Sequence, residues 1–301
     1  MRAYLFLITI AACGSSTSPH DNTSPDAPPG SQADGAKQFL DAPNTSGQDY
    51  SADGASTVAT STTTLDGATS DHKLPATIYT PTPANGSSVI ISPGFQMARA
   101  QYASFAQHMA TWGYTVILTD YADQSFLADH QKMADDVNAV ATYALAQTGI
   151  TKVAFAGHSL GGDISVLAAT ATGTKASALL GWDPVDASSP SVVPDKTFTA
   201  PLAVIGETTD GSGGFMPCAP TVDNFQQFYA AAASPALIIT ADNADHMDWV
   251  DDGTCALCGL CTAGTADPAD VHTATKRMNV AWLNEQLLGQ PATTLPGATR
   301  K

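Results

Sequence analysis

The segment FAGHSLGG at residues 155–162 constrains this chain more than any other, because it places Ser159 in a G-x-S-x-G motif. The motif directly follows the apolar run TKVAFAG, and the residues after it, SVLAATAT, can continue as a helix. A strand, a sharp turn and a helix would hold the serine hydroxyl clear of the backbone, with helix amides directed at developing negative charge. Gly157 and Gly161 leave room for that turn. The motif therefore predicts that Ser159 is a nucleophile.

The chain beyond Thr57 alternates short apolar runs with longer helical stretches, which is typical of a parallel sheet with crossover helices. Strands are predicted at 74–81, 87–94, 114–120, 152–157, 176–183, 200–206 and 234–241. Further helices are predicted at 102–113, 129–149 and 271–289. This order, with the serine motif after the 152–157 strand, predicts an α/β-hydrolase fold with a mostly parallel central sheet and helices on both faces.

A nucleophilic serine needs an imidazole that can take its proton. In the predicted fold this histidine lies beyond the last strand, and His246 in ADNADHMDWVDD has that position. His158 is adjacent to Ser159, but its side chain is expected to point away through the turn. The other histidines lie outside the expected topology or in predicted helices: His20, His72, His108, His130 and His272. We therefore predict that His246 is the base.

The third member of such a triad is a carboxylate that orients the imidazole and stabilises its cation. Asp183 ends a predicted strand in GWDPV, whereas Glu207 and Asp210 follow the next strand. All three satisfy the chain order serine, acid, histidine, so the residues alone leave this position open. Asp210 lies in the glycine-rich loop TTDGSGG, where we expect its side chain to be exposed to solvent.

An oxyanion formed by attack on a carbonyl requires two backbone amides. We expect one from Leu160, directly after the serine, and the other from Phe95 in the turn that follows ISPG. Pro93 has no amide hydrogen to donate. Phe95, Gln96 and Met97 would then form the floor of an acyl pocket.

The N-terminus has the features of an export signal. In residues 1–12, Arg2 is followed by the apolar run AYLFLITIAA, and Cys13 follows two small residues. This arrangement resembles the bacterial lipoprotein signal, so we predict lipidation of Cys13 and location at the bacterial outer membrane or cell surface, on the periplasmic or extracellular face. The alternative is an ordinary signal peptide with a chance cysteine.

The remaining chain divides by composition into three parts. Residues 13–56 are dominated by Ser, Pro, Gly, Asp, Ala and Asn, which predicts a flexible tether, because such a segment cannot bury enough apolar surface to fold. Residues 57–290 form the predicted catalytic domain, and residues 291–301 are predicted to be a disordered tail.

The net charge of −16 and the lack of basic clusters argue against a nucleic-acid partner. Any membrane contact is expected only through the anchor, and the protein is expected to be a monomer.

Four cysteines lie in the predicted domain: Cys218, Cys255, Cys258 and Cys261. An even number in an exported chain favours disulfides, whose three possible pairings the sequence does not separate. The C-x₂-C-x₂-C run could alternatively hold a metal with Cys218 as the fourth ligand. In either case, the loop beyond His246 would be joined to the loop after the 200–206 strand.

Four segments, in the same order, resemble chlorophyllases: GHSLGGD (157–163), LLGWDPVDA (179–187), PCAP with NFQQFY (217–229), and ADHMDWVDD (244–252). The upstream segment VIISPGFQMARAQYASFAQHMATWGYTVILTDY also resembles cutinase-like polyester hydrolases, including PET hydrolases, and dienelactone hydrolases. The resemblance covers roughly Leu74 to Leu288. It implies a serine esterase on the α/β-hydrolase fold, and it implies that Asp183 is the acid. Plant chlorophyllases commonly have an arginine at the position of Leu160. The resemblance therefore does not identify which ester is the substrate.

Together these features lead us to expect a serine carboxylic ester hydrolase that requires no cofactor and no metal. Its substrate would be a small-molecule or polymeric ester. The alternatives are a cutinase-like polyesterase or lipase, and a lipoprotein that keeps the fold as a non-catalytic binding module.

Overall fold

The computed structural model describes residues 47–186, 198–211, 217–253 and 258–301. At its centre lie nine strands: β1 (Thr57–Asp66), β2 (Lys73–Thr82), β3 (Ser87–Ser92), β4 (Thr115–Thr119), β5 (Lys152–His158), β6 (Ala176–Trp182), β7 (Leu202–Glu207), β8 (Ala236–Ala241) and β9 (Thr299–Arg300). They form one sheet in the order β1-β2-β4-β3-β5-β6-β7-β8-β9. The pairs β1/β2, β2/β4 and β8/β9 are antiparallel, and the others are parallel. The carboxyl ends of β3 to β8 therefore meet at one edge.

In the described ranges, five α-helices accompany the sheet: α1 (Ala103–Thr111), α2 (His130–Leu145), α3 (Leu160–Thr170), α4 (Phe225–Ala231) and α5 (Pro268–Leu288). Short 3₁₀ helices lie at Arg99–Tyr102, His246–Trp249 and Cys258–Leu260. Several helix ends follow from local sequence. The Asp129 carboxylate caps α2 by accepting from two first-turn amides, and Gly289 adopts the left-handed conformation, with a φ of 68°, that ends α5.

The central strands of the sheet are buried on both faces, and their side chains alternate between two cores. In β3, Val89 and Ile91 belong to the core that includes α1 and α5, whereas Ile90 belongs to the core that includes α2, α3 and α4. All six residues of β3 are buried. This explains why the central strands read as continuous apolar runs in the sequence.

The predicted fold class is confirmed: the sheet is mostly parallel and carries helices on both faces. All seven predicted strands are present. Two strands and α4 were not predicted. β1 escaped prediction because its sequence, TVATSTTTLD, is largely polar and exposed, and it is held by ten-residue pairing with β2 at the edge of the sheet.

The predicted boundaries need two corrections at the ends of the body. Residues 291–301 were expected to be disordered, but β9 pairs with β8, and Leu295 is buried. The open edge of β8 offers backbone groups that this segment satisfies, which its composition does not reveal. Tyr50, expected within the tether, is also buried and packs edge-on against Trp112 with ring centroids 5.2 Å apart. The predicted signal at 1–12 and Cys13 lie outside the described residues.

Among the helices of the described ranges, none combines the length and the apolar character that a membrane span needs.

Candidate active site

Ser159 occupies the turn between β5 and α3 in a strained backbone conformation, with φ at 53° and ψ at −123°. Positive φ is costly for a residue with a side chain, by about 1–3 kcal/mol, and persists only where the surroundings enforce it. Here the Ser159 amide donates to the carbonyl of Trp182 over 3.1 Å. The Ser159 carbonyl accepts from the amides of Gly162 and Val185, at 3.0 and 3.2 Å. The turn is therefore fixed from both sides.

The glycines of the motif are required by close packing around this turn. A Cβ at Gly157 would lie 2.2 Å from the carbonyl carbon of Gly161. A Cβ at Gly161 would lie 2.0 Å from the carbonyl oxygen of Ser92, and one at Gly162 would lie 2.5 Å from Cβ of Pro184. The end of β3 and the segment after β6 thus press directly on the turn that presents Ser159.

The structure brings Ser159, His246 and Asp183 together. The Ser159 hydroxyl lies 2.9 Å from Nε2 of His246, and Nδ1 of His246 lies 2.6 Å from Oδ2 of Asp183. A carboxylate can only accept, so Nδ1 carries the hydrogen and Nε2 is free to accept the serine proton. His246 opens the 3₁₀ helix after β8, and Asp183 directly follows β6. Three strand ends therefore contribute one side chain each.

Asp183 is fully buried, and its backbone, like that of Ser159, has a positive φ and is held by hydrogen bonds. Its φ is 42°, and its amide donates to the carbonyl of Ile205 over 2.7 Å. Its second carboxylate oxygen accepts from the amide of Glu207 over 3.2 Å. Burial raises the pKa of the Asp183 carboxyl, and the hydrogen bond from His246 acts in the opposite direction. The pair with His246 is therefore held out of water, where its interaction is strong.

The two other candidate acids lie behind Asp183 in a chain of buried carboxyl groups. The Asp210 amide donates to Oε2 of Glu207 over 2.8 Å, and the Thr262 amide donates to Oδ2 of Asp210 over 3.2 Å. Our expectation that Asp210 is exposed is wrong, because only 1% of its surface is accessible. The segment that contains Thr262 lies against Asp210 and takes the place of solvent.

Burial and, to a smaller extent, the charge of Asp183 together raise the pKa of the Glu207 carboxyl to about 8. Glu207 therefore favours its neutral form, and the carboxylate that accepts from Nδ1 of His246 is that of Asp183.

His158 links the base to the turn after β3, a role that the sequence did not indicate. Its Nε2 lies 2.8 Å from the carbonyl oxygen of His246, and its Nδ1 lies 3.0 Å from the Tyr102 hydroxyl. The Gly94 amide donates to that hydroxyl over 2.9 Å. A carbonyl can only accept, so Nε2 of His158 carries the hydrogen and Nδ1 accepts from Tyr102. Burial holds the pKa of His158 well below its usual range, which keeps it neutral. The only feature of the sequence that could have indicated this role of His158 was its position next to Ser159 in the motif.

The two amides expected to bind an oxyanion lie on segments next to Ser159. Leu160 is the first residue of α3, where backbone amides have no partner within the helix. Phe95 lies in a tight turn closed by the Met97 amide, which donates to the Gly94 carbonyl over 3.1 Å. Gln96, in the same turn, has a φ of 53°. The close approach of Gly161 to the backbone of Ser92 places this turn beside the start of α3.

The residues expected to floor an acyl pocket differ in exposure. The side chain of Met97 is buried, whereas Phe95 and Gln96 are partly exposed. The Phe95 ring packs edge-on against Phe126, with centroids 5.0 Å apart. Met97 instead contacts Cys258, with the two sulfur atoms 4.0 Å apart. Met97 thus anchors the turn, whereas Phe95 packs partly against the core of α2, α3 and α4 and partly against Phe126.

Cys218 and Cys261 form a disulfide that joins the segment after β7 to the segment after β8, as predicted. Cys258 is also disulfide-bonded, and Cys255 lies outside the described residues. Because a disulfide has no thiolate to offer, the metal alternative for these cysteines is not supported.

The cluster of Asp183, Glu207 and His246 brings possible ligand atoms within 4.8 Å of one another, but both ring nitrogens of His246 are already engaged in hydrogen bonds.

Comparison with known proteins supports the same fold and family. The chlorophyllase family matches residues 50–295 of the chain. A search of curated proteins found no match. Among solved structures, a ferulic acid esterase from Streptomyces cinnamoneus is similar, with a TM-score of 0.65 and 17% identity over 81% of this chain and 96% of that one. At this identity the likeness concerns the fold, whereas the family match supports an ester hydrolase. The predicted family resemblance is thereby confirmed, and the chain belongs to the chlorophyllase family.

Proposed function

We propose that the protein is a serine carboxylic ester hydrolase in which Ser159, His246 and Asp183 act as a catalytic triad. The observation that carries the proposal is the hydrogen-bonded series from the Ser159 hydroxyl through both nitrogens of His246 to Asp183. As the Ser159 oxygen attacks the ester carbonyl carbon, Nε2 of His246 takes the serine proton. The same nitrogen returns that proton to the departing alcohol, leaving an acyl group on Ser159. Water, deprotonated by His246, then attacks the acyl group, and the acid and free serine are released.

Asp183 stabilises the imidazolium that forms in both steps and keeps Nδ1 protonated. Its burial supports this role, because an ionised partner at 2.6 Å in a water-poor site interacts strongly with the imidazolium. The backbone bonds to Ile205 and from Glu207 hold its carboxylate in place, so little reorganisation accompanies the reaction.

The oxyanion would be bound by the amides of Phe95 and Leu160. The start of α3 adds the positive end of a helix dipole at the same place. Two converging amides of this kind stabilise charge that exists only in the transition state, which accelerates the chemical step rather than binding the ester more tightly.

The proposal extends to export. Residues 1–12 would direct export, and Cys13 would carry a lipid that holds the protein at the outer membrane or cell surface. The disulfide between Cys218 and Cys261 supports this location, since disulfides persist in oxidising compartments. No cofactor takes part in the proposed reaction.

The activity is tested with a short, dissolved p-nitrophenyl ester and with a fluorophosphonate probe that labels activated serines. We expect hydrolysis and stoichiometric labelling of the parent, and loss of both in Ser159→Ala. Ser61→Ala, an exposed serine on β1, is the matched control and should behave as the parent. Turnover and labelling that survive in Ser159→Ala would overturn the proposal, and so would a parent protein that reacts with neither.

A further inference from the structure

Most of the large apolar side chains exposed in the described residues lie at one end of the molecule. The exposed set is Phe126, Leu127, Tyr143, Val222 and Leu260. Phe126 and Leu127 follow β4, Val222 follows β7, and Leu260 follows β8, so all four lie at the carboxyl ends of the strands, as do Ser159, Asp183 and His246. Only Tyr143, near the end of α2, lies elsewhere. We call Phe126, Leu127, Val222 and Leu260 the apolar rim.

Phe126 and Leu127 are the most prominent members of the rim, with 73% and 93% of their surfaces exposed. Phe126 does not extend freely into water, because its ring packs against Phe95 at 5.0 Å. Phe95 provides one of the amides proposed to bind the oxyanion. The rim is therefore continuous with the turn that borders the proposed reaction site.

Leu260 lies in a short helix that contacts the same turn through Cys258. It ends the 3₁₀ helix that begins at Cys258, whose sulfur lies 4.0 Å from that of Met97. Leu260 itself is 58% exposed. Two separate loops that carry exposed apolar side chains thus contact the Phe95–Met97 turn, one through Phe126 and the other through Cys258.

The charge around the rim indicates what kind of surface it fits. The segment 121–129 contains Asp123 and Asp129 and no lysine or arginine, and the whole chain has a net charge of −16. An anionic membrane attracts basic segments and would be repelled here. Clustered exposed apolar side chains mark an interaction site, and this one fits a neutral apolar surface.

We propose that the apolar rim adsorbs the protein to the surface of a neutral, water-insoluble ester, such as an emulsion droplet or a solid polyester, so that Ser159 acts on ester groups at that surface. The inference rests on the proposed function for its catalytic part, but adsorption itself can be measured without turnover.

The test compares Phe126→Ser/Leu127→Ser with the parent on two substrates. On a dissolved short p-nitrophenyl ester, we expect kcat/KM within about twofold of the parent, because the exposed side chains do not enter the chemistry. On a tributyrin emulsion, we expect adsorption and hydrolysis to fall at least about tenfold, because two large side chains no longer leave water. Leu260→Ser should show a smaller loss in the same direction. Tyr143→Ser, an exposed apolar side chain away from the rim, is the matched control and should match the parent on both substrates.

Adsorption is also measured in Ser159→Ala, which separates this inference from the proposed function. The Ser159→Ala protein should bind the emulsion as the parent does, even though it hydrolyses nothing. Equal adsorption of the parent and Phe126→Ser/Leu127→Ser would overturn the proposal, as would equal losses on the dissolved and the emulsified ester. A parent dimer that this variant converts to a monomer, seen by sedimentation, would assign the rim to self-association instead. Stronger binding to phosphatidylglycerol vesicles than to the emulsion would assign it to a membrane.

Discussion

Nε2 of His158 donates to the carbonyl oxygen of His246 over 2.8 Å, and the two rings lie with their centroids 4.7 Å apart. The residue before the proposed nucleophile therefore holds the backbone of the proposed base. Through Tyr102, the same imidazole also holds the Gly94 amide at the start of the turn that carries Phe95. One neutral side chain thus connects the proposed base with the turn proposed to bind the oxyanion.

We predict that His158→Leu lowers kcat by about 10–100-fold with little change in KM, since a buried carbonyl and hydroxyl lose their partner and the base is no longer held. The matched control is His108→Leu. His108 is also buried, and its Nε2 lies 3.0 Å from a backbone carbonyl, that of Ala52, but it lies on α1 away from the site. His108→Leu should lower the melting temperature while kcat stays near the parent value. The same pattern in His158→Leu would mean that this histidine is only structural.

Glu207 gives the free energy of unfolding a specific dependence on pH. Its pKa is about 8 in the folded protein, raised from an ordinary value of 4.5 by burial and then by the charge of Asp183. Between these two values the folded state keeps a proton that the unfolded state releases. The stability contributed by this group therefore falls as the pH rises from 4.5 towards 8, at up to about 1.4 kcal/mol per pH unit.

Glu207→Gln mimics the protonated side chain and cannot ionise. We expect its melting temperature to rise relative to that of the parent as the pH increases from 5 to about 9, because only the parent must ionise a buried carboxyl. Asp53→Asn, at an exposed position, is the control. The difference between its melting temperature and that of the parent should stay constant over the same pH range. If the difference in melting temperature between Glu207→Gln and the parent does not change over this pH range, Glu207 does not carry a proton in the folded state.

The Cys218–Cys261 disulfide closes a segment with a sequence separation of 43 residues. Removing it in Cys218→Ala/Cys261→Ala should lower the free energy of unfolding by about 2–4 kcal/mol, mainly because the unfolded chain regains the freedom of that loop. Urea unfolding measures this loss.

Thiol titration of the denatured, non-reduced parent lacking its N-terminal tether should detect essentially no free cysteine. Four titratable thiols would contradict a disulfide framework.

The lipid anchor is tested by fractionating bacteria that express the full chain. The protein should be recovered with membranes, and Cys13→Ser should release it, because we propose that the lipid on Cys13 provides the membrane contact. Cys218→Ala/Cys261→Ala is a useful control, since it also removes cysteines but leaves the anchor. Equal solubility of the parent and Cys13→Ser would remove the lipidation claim.

The sequence predicted those features of the fold that local chemistry dictates. Strand β3 is apolar at its centre because it is covered on both faces, and the glycines around Ser159 are required by contacts as close as 2.0 Å. β1 and β9 were missed because pairing with a neighbouring strand, rather than their own composition, stabilises them. A tertiary contact of this kind leaves no periodic pattern in the chain.

In the site, the sequence supplied each residue type but not the choice among acids. Asp183, Glu207 and Asp210 all fit the chain order; the resemblance to chlorophyllases favoured Asp183, and the spatial order of the three residues separates them. Asp183 contacts His246, Glu207 contacts Asp183, and Asp210 contacts Glu207. Such a succession depends on how the ends of neighbouring strands meet, which the spacing in the chain does not encode.

This succession leads to the last prediction, which concerns the acid of the proposed triad. Asp183→Asn keeps the shape of the side chain but removes the charge that holds Nδ1 of His246 protonated. We expect turnover to fall by about 10³–10⁴, the loss typical of this change in other triads. Asp210→Asn should cost less than about tenfold, or roughly 1.4 kcal/mol of barrier, because Asp210 contacts Glu207 and not the imidazole. Thermal melting first establishes that both variants fold as the parent does. Abolished turnover in Asp210→Asn with nearly normal turnover in Asp183→Asn would contradict the assignment of Asp183.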